Sequence, residues 1–136
     1  MQLTLINNPD VSMAPVYKIA RVVYAQTGAR SLPAVEAFTS MIANISHASG
    51  LDVFQIISDK NIFDALDSNS PRHELLSVPA NNRGLLMCVR TVRRMLSGGL
   101  ADSCFGATKF HYADHIPEWA TARGYIADID GILFYL

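Results

Sequence analysis

Gln26 occupies a position where a carboxylic acid would do chemistry. It closes the segment Tyr24-Ala25-Gln26-Thr27-Gly28 at the end of a helical pattern. Val16, Ile19, Ala20 and Val23 recur at helical offsets and form one apolar stripe. At about 100° per residue, position 26 lies one turn past Val22 and Val23 and two turns past Ile19. A polar side chain is therefore expected on the inward side of the last turn. An acid half in an apolar wall and half in a cleft has its pKa raised and serves as a general acid. The amide of the same shape cannot donate and recover a proton near neutral pH.

Other groups invite chemistry less strongly. The three glutamates are Glu36, Glu74 and Glu118. Glu36 falls in the first turns of a helix, where its charge suits the dipole. Glu74 reads as exposed. Glu118 precedes Trp119 and is the reserve acid. His111, Asp114 and His115 have spacings that would converge on a metal only on a helix. His111 reads as strand, where residues four apart are separated by about 13 Å, so no metal and no cofactor are expected. Cys88 and Cys104 form no Cys-x-x-Cys pair and are expected to be reduced structural thiols.

These residues need an architecture to hold them. The sequence of 136 residues reads as one domain, residues 1–136, with an irregular arm over 1–11 and a turn at Asn7-Asn8-Pro9-Asp10. A chain this long buries roughly 68% of its unfolded surface. Half of it is hydrophobic, 17% is charged, and the formal charge is −1, so no general attraction to nucleic acid follows. No apolar run approaches the roughly 20 residues of a membrane span. Met1 to Ile6 lacks the basic and apolar regions of a signal peptide.

Ser12 is expected to cap the first helix, with Pro15 in its first turn and Gly28 as its stop. Ser31 caps a second helix, which carries Val35, Phe38, Met41, Ile42 and Ile45 and stops at Gly50. A short third helix is expected over Leu51 to Ser58. Residues 60–79 are mixed, with a turn at Ser68-Asn69-Ser70-Pro71 and one helical turn after it. The clearest helix runs from about Asn82 to Ser97, with Leu85, Val89, Val92 and Leu96 inward and Arg83, Arg90 and Arg94 outward. Lys109 to Tyr112, Tyr125 to Ile129 and Ile132 to Leu136 read as strands, the last two joined by a type I′ turn at Asp130-Gly131. Helices followed by a small antiparallel sheet make an α+β domain.

Several segments, taken in order, resemble the bacterial cell-wall hydrolase family that includes the spore-cortex-lytic enzymes. Ala20 to Gln26 resembles its opening motif, in which a catalytic Glu follows Tyr-Ala. Ala34 to Asn44 resembles the next helix, without the Arg that usually follows the Asn. Gly106-Ala107-Thr108-Lys109-Phe110-His111 is similar to Gly-Ala-Thr-His-Tyr-His, with Lys109 replacing a His. Pro117-Glu118-Trp119-Ala120 resembles a Pro-x-Trp-Ala segment. Ile129 to Tyr135 resembles the closing Ile-Gly-x-His-x-Phe-Tyr.

The resemblance implies a lysozyme-like arrangement acting on peptidoglycan glycan strands, by lytic transglycosylation or as a muramidase. A one-acid transglycosylase needs no second carboxylate, because the sugar's own hydroxyl attacks the anomeric carbon. The acid position is Gln26, so cleavage is expected to be absent or nearly so. The alternative is a non-catalytic module that binds wall glycan. Tyr24, Gly106, Ala107, Phe110, His111 and Trp119 are the expected substrate-binding residues. The expected setting is the bacterial wall, reached from the periplasm or by a phage-type lysis route, with the chain a monomer.

Overall fold

The computed structural model describes residues 14–136. The arm, the Asn7–Asp10 turn and the Ser12 cap lie outside them. Helix α1 (Pro15–Thr27) starts with Pro15 at its first position, where a missing N–H costs nothing. Gly28 ends it in the left-handed conformation, at φ 65°, and returns its N–H to the Tyr24 carbonyl. Almost every side of α1 is covered: Tyr17, Ile19, Ala20, Val22, Val23, Ala25, Gln26 and Thr27 are all buried.

Helix α2 (Leu32–Ser49) is capped by the Ser31 hydroxyl, which accepts from the Ala34 N–H, and ends at Gly50. Val35, Phe38, Met41 and Ile42 lie wholly inside. Helix α3 is shorter than expected, Val53–Ile56. Asp52 and Gln55 close a reciprocal capping box on it. The following stretch carries two 3-10 turns, Asp64–Leu66 and His73–Ser77. Arg21 on α1 fixes the second by donating to the carbonyls of Leu76 (3.0 Å) and Val78 (2.6 Å).

Helix α4 (Arg83–Leu96) is capped by Asn82 and turns Leu85, Cys88, Val89, Thr91 and Val92 inward. Leu96, expected inside, is exposed, because the last turn runs past the end of the core. Arg94 stays on the solvated face, as expected, and pairs there with Glu36 on α2. Gly84 lets α4 approach α1: a Cβ there would stand 2.8 Å from Tyr24 Cε1 and 2.9 Å from Ala29 Cβ.

The sheet has order β1-β3-β2, all antiparallel, with β1 Lys109–Tyr112, β2 Ala127–Ile129 and β3 Ile132–Tyr135. Asp130 (φ 51°) and Gly131 (φ 83°) make the two-residue hairpin turn between Ile129 and Ile132. Strand β2 is shorter than expected, beginning at Ala127 rather than Tyr125. Phe110 and Tyr112 oppose Phe134 and Ile132 and face the helices. His111 and Tyr135 therefore share the other face, where Trp119 packs edge-on against both. The result is a mixed helical domain with a small antiparallel sheet near its C-terminal end. No described helix is long and apolar enough to cross a membrane.

Candidate functional site

Gln26 is completely buried, at 0% exposure. It does not reach a cleft, contrary to the half-exposed position expected of it. Its amide is used on both sides. The Ala65 N–H donates to its Oε1 at 2.8 Å. Its Nε2 donates to Asp64 Oδ1 at 3.0 Å and to the Tyr112 hydroxyl at 2.5 Å. The Tyr112 hydroxyl in turn donates to the Gln26 backbone carbonyl at 2.7 Å. The 3-10 turn Asp64–Leu66 thus roofs the end of α1, and the amide gives that turn one acceptor and one donor while its other N–H goes to Tyr112 of β1.

Asp64 is the group that carries this network outward. Its Oδ2 accepts from the Ser70 hydroxyl at 2.7 Å and from Arg72 at 3.1 Å. Burial pushes the Asp64 carboxyl up. The Gln26 and Ser70 hydrogen bonds and the Arg72 charge outweigh that and hold it below the ordinary carboxylate range. Asp64 is therefore ionised at neutral pH. The Arg72 guanidinium also lies over the Tyr112 ring, 3.8 Å from its centroid. Burial pushes the Tyr112 phenol up to about 12, so it stays protonated and remains a donor.

Asp64, Arg72 and Tyr112 line a groove of about 420 Å³ whose other walls are Lys60 to Ile62, Phe110 and His111, and Asp114, His115, Pro117 and Trp119. A second hollow of about 210 Å³ continues it, sharing Asn61, Ile62, Phe110 and Trp119 and adding Thr108 and Lys109. Strand β1 is an edge strand, and residues of both its faces line the groove, as when a groove runs along a strand's unpaired edge.

Of the expected binding residues, Phe110, His111 and Trp119 meet in this groove. Trp119 is 40% exposed, a surface available for stacking. His111 contributes only an edge. It is 7% exposed, with Nδ1 against the Tyr112 carbonyl (2.8 Å) and Nε2 against the Tyr135 hydroxyl (2.7 Å). Both ring nitrogens are spent on the protein, so His111 positions Trp119 rather than hydrogen-bonding a ligand.

The other three expected residues lie elsewhere. Tyr24 packs against Gly84 of α4. Gly106 takes φ 82° and donates its N–H to Asp102. Ala107 is buried, and its carbonyl accepts from Asn44 of α2 at 3.1 Å. Gly106 and Ala107 shape the loop that launches β1; they do not touch the groove. Glu118 is exposed and is not among the residues lining the groove. Cys88 and Cys104 are free and fully buried, and burial pushes both thiols up to about 12.

No sequence pattern marks Asp64 and Arg72, because residues 60–79 carry no clear periodicity. The usable signal is Gln26 itself: an inward-facing amide needs a polar partner, and Asp64 in the irregular stretch is that partner.

No family model, curated protein or solved structure matches this chain.

Proposed function

We propose that this chain is a domain of the cell-wall hydrolase type, lysozyme-like in layout, whose groove holds a peptidoglycan glycan strand without cleaving it at an appreciable rate. One observation carries the reading: the position that would bear the acid is a fully buried amide donating to an ionised aspartate. Cleaving a glycosidic bond requires a proton for the leaving oxygen. Gln26 has none to give, and Asp64 has already lost its own. Asp114, the other carboxylate of the groove, stands exposed to solvent. Binding needs no proton. An exposed Trp beside Phe110, with Asn61 and Thr108 along the rim, matches what a sugar ring requires: an apolar face and a polar edge.

The test is made on purified sacculi with the chain and with its Gln26→Glu variant. The chain should co-sediment with sacculi and clear none of the turbidity. Trp119→Ala should weaken co-sedimentation about 2–10-fold, the value of one aromatic contact. Gln26→Glu should gain clearing by about 10²–10⁴-fold over background, the usual worth of a positioned acid, with the proton shared between positions 26 and 64 presented to the groove by Asp64. Anhydro-muramyl ends in the products would mark transglycosylation, and reducing muramic acid would mark hydrolysis. If Gln26→Glu binds but clears nothing, the chain is a binding module alone. If the unaltered chain clears sacculi at an enzyme's rate, position 26 is not the acid position.

A further inference from the structure

The hollow at the Trp119 end of the groove has a one-sided charge. Among the described residues its lining is Asn61, Ile62, Thr108, Lys109, Phe110 and Trp119, with one cation and no carboxylate. Lys60 stands on the adjoining wall. Neither lysine forms an ion pair among the described residues, whereas Arg72 is committed to Asp64. Among the described residues the groove's two carboxylates, Asp64 and Asp114, line its other part, together with Arg72 and His115. A chain of formal charge −1 therefore offers a locally cationic pocket, walled by two aromatic rings and flanked by an amide and a hydroxyl.

Lys109 owes its position to the strand. It opens β1 opposite Tyr135, on the same face as His111, and it is exposed while Phe110 turns toward the core. A cation held at the end of an edge strand, beside an exposed indole, suits a ligand with an apolar ring face and an anionic substituent. A neutral glycan would leave that charge unanswered.

We propose that this hollow is a carboxylate-selecting subsite, in which Lys109, aided by Lys60, receives the acidic substituent of a sugar whose ring lies on Trp119. The inference rests on the glycan-binding reading and makes it more specific. The strand must carry carboxylates, either the lactyl acid on the sugar or the free carboxylates of an attached peptide. Chitin-like strands of neutral N-acetylglucosamine meet the same aromatic walls but not the lysines.

Three soluble probes separate the possibilities: neutral chitotetraose, glycan fragments stripped of peptide but retaining the lactyl carboxylate, and fragments retaining their peptides. Affinity is measured by calorimetry at about 20 mM and about 500 mM salt, since exposed charges are screened within a few ångströms at high salt. Both carboxylate-bearing probes are expected to bind more tightly than chitotetraose at low salt, with the margin shrinking at high salt. If only the peptide-bearing probe gains, the peptide supplies the carboxylate. Lys109→Gln should cut the affinity for a carboxylate-bearing probe about 2–5-fold, as for an exposed ion pair, and leave chitotetraose unchanged. Lys109 is exposed, so the variant should fold; matching thermal melts establish that it does. Equal affinity for all three probes, or a Lys109→Gln effect common to all, overturns the subsite and leaves the glycan groove standing. Failure of every probe to bind overturns both.

Discussion

Replacing Gln26 by Glu should convert a silent hydrogen bond into a titrating pair. The Gln26 Nε2 to Asp64 Oδ1 distance is 3.0 Å. Two carboxylates at that separation repel by about 5.5 kcal/mol at an effective dielectric of about 20, and by about 1.4 kcal/mol at that of water. One proton is therefore retained between them, and the pair's upper pKa rises by about 1–4 units above the ordinary Glu value near 4.3. Arg72 beside Asp64 and the partial exposure of Asp64 favour the lower part of that range. Between pH 4.3 and the raised value the folded Gln26→Glu protein binds more protons than the unfolded chain, so its stability falls as pH rises. Below pH 4.3 both states hold the proton and the penalty disappears. The difference in unfolding free energy between the chain and Gln26→Glu, measured by urea denaturation, should be small at pH 4. It should grow by about 1.4 kcal/mol for each unit of the shift as pH approaches 8. The same retained proton is what would make the variant an acid, delivered through Asp64, the member of the pair that lines the groove. A difference that stays flat from pH 4 to 8 would refute the reasoning, because it would mean that the two carboxyls do not share a proton.

Other consequences follow from single contacts. Asp64→Ala leaves the buried Gln26 amide without one of its acceptors and should cost about 1–3 kcal/mol in denaturant melts. Asp64 itself has a depressed pKa, so its contribution should be complete above its unfolded value near 3.9 and be lost as pH falls through the lower folded value. Gly84→Ala should destabilise by about 1–3 kcal/mol, since the new methyl meets Tyr24 and Ala29 inside 3 Å. Cys88 and Cys104 should react with thiol reagents only on global unfolding, because both are enclosed and un-ionised; fast labelling of the native protein would contradict their burial.

What was legible in the sequence was local. Ser31, Gly28, Gly50 and Asp130-Gly131 act through their own backbone and nearest neighbours, so the helix ends and the hairpin could be placed from residue types. The α4 stripe was readable because its period is unbroken from Leu85 to Val92, and it fails at Leu96 where the core ends. The site was not local. Gln26 meets Asp64 across 38 positions and Tyr112 across 86. Periodicity showed that Gln26 faces inward, but not that an irregular segment folds over it. The same gap explains Gly106 and Ala107: the resemblance put them near a ligand, whereas Asn44 and Asp102 hold them as loop structure. Trp119 and Phe110 come to one groove through the short strand β1 and the 3-10 turn that sets the indole against His111 and Tyr135.

We propose that the groove beside β1 holds wall glycan. Trp119 is the sole tryptophan of the chain and lies in that groove, so its fluorescence reports on the site directly. Titration with solubilised glycan strands should shift and saturate the Trp119 emission, with Phe110→Ala weakening the response and Arg83→Ala, on the exposed face of α4, leaving it unchanged. Emission that stays constant while the strands bind elsewhere, or no binding at all, would contradict the account.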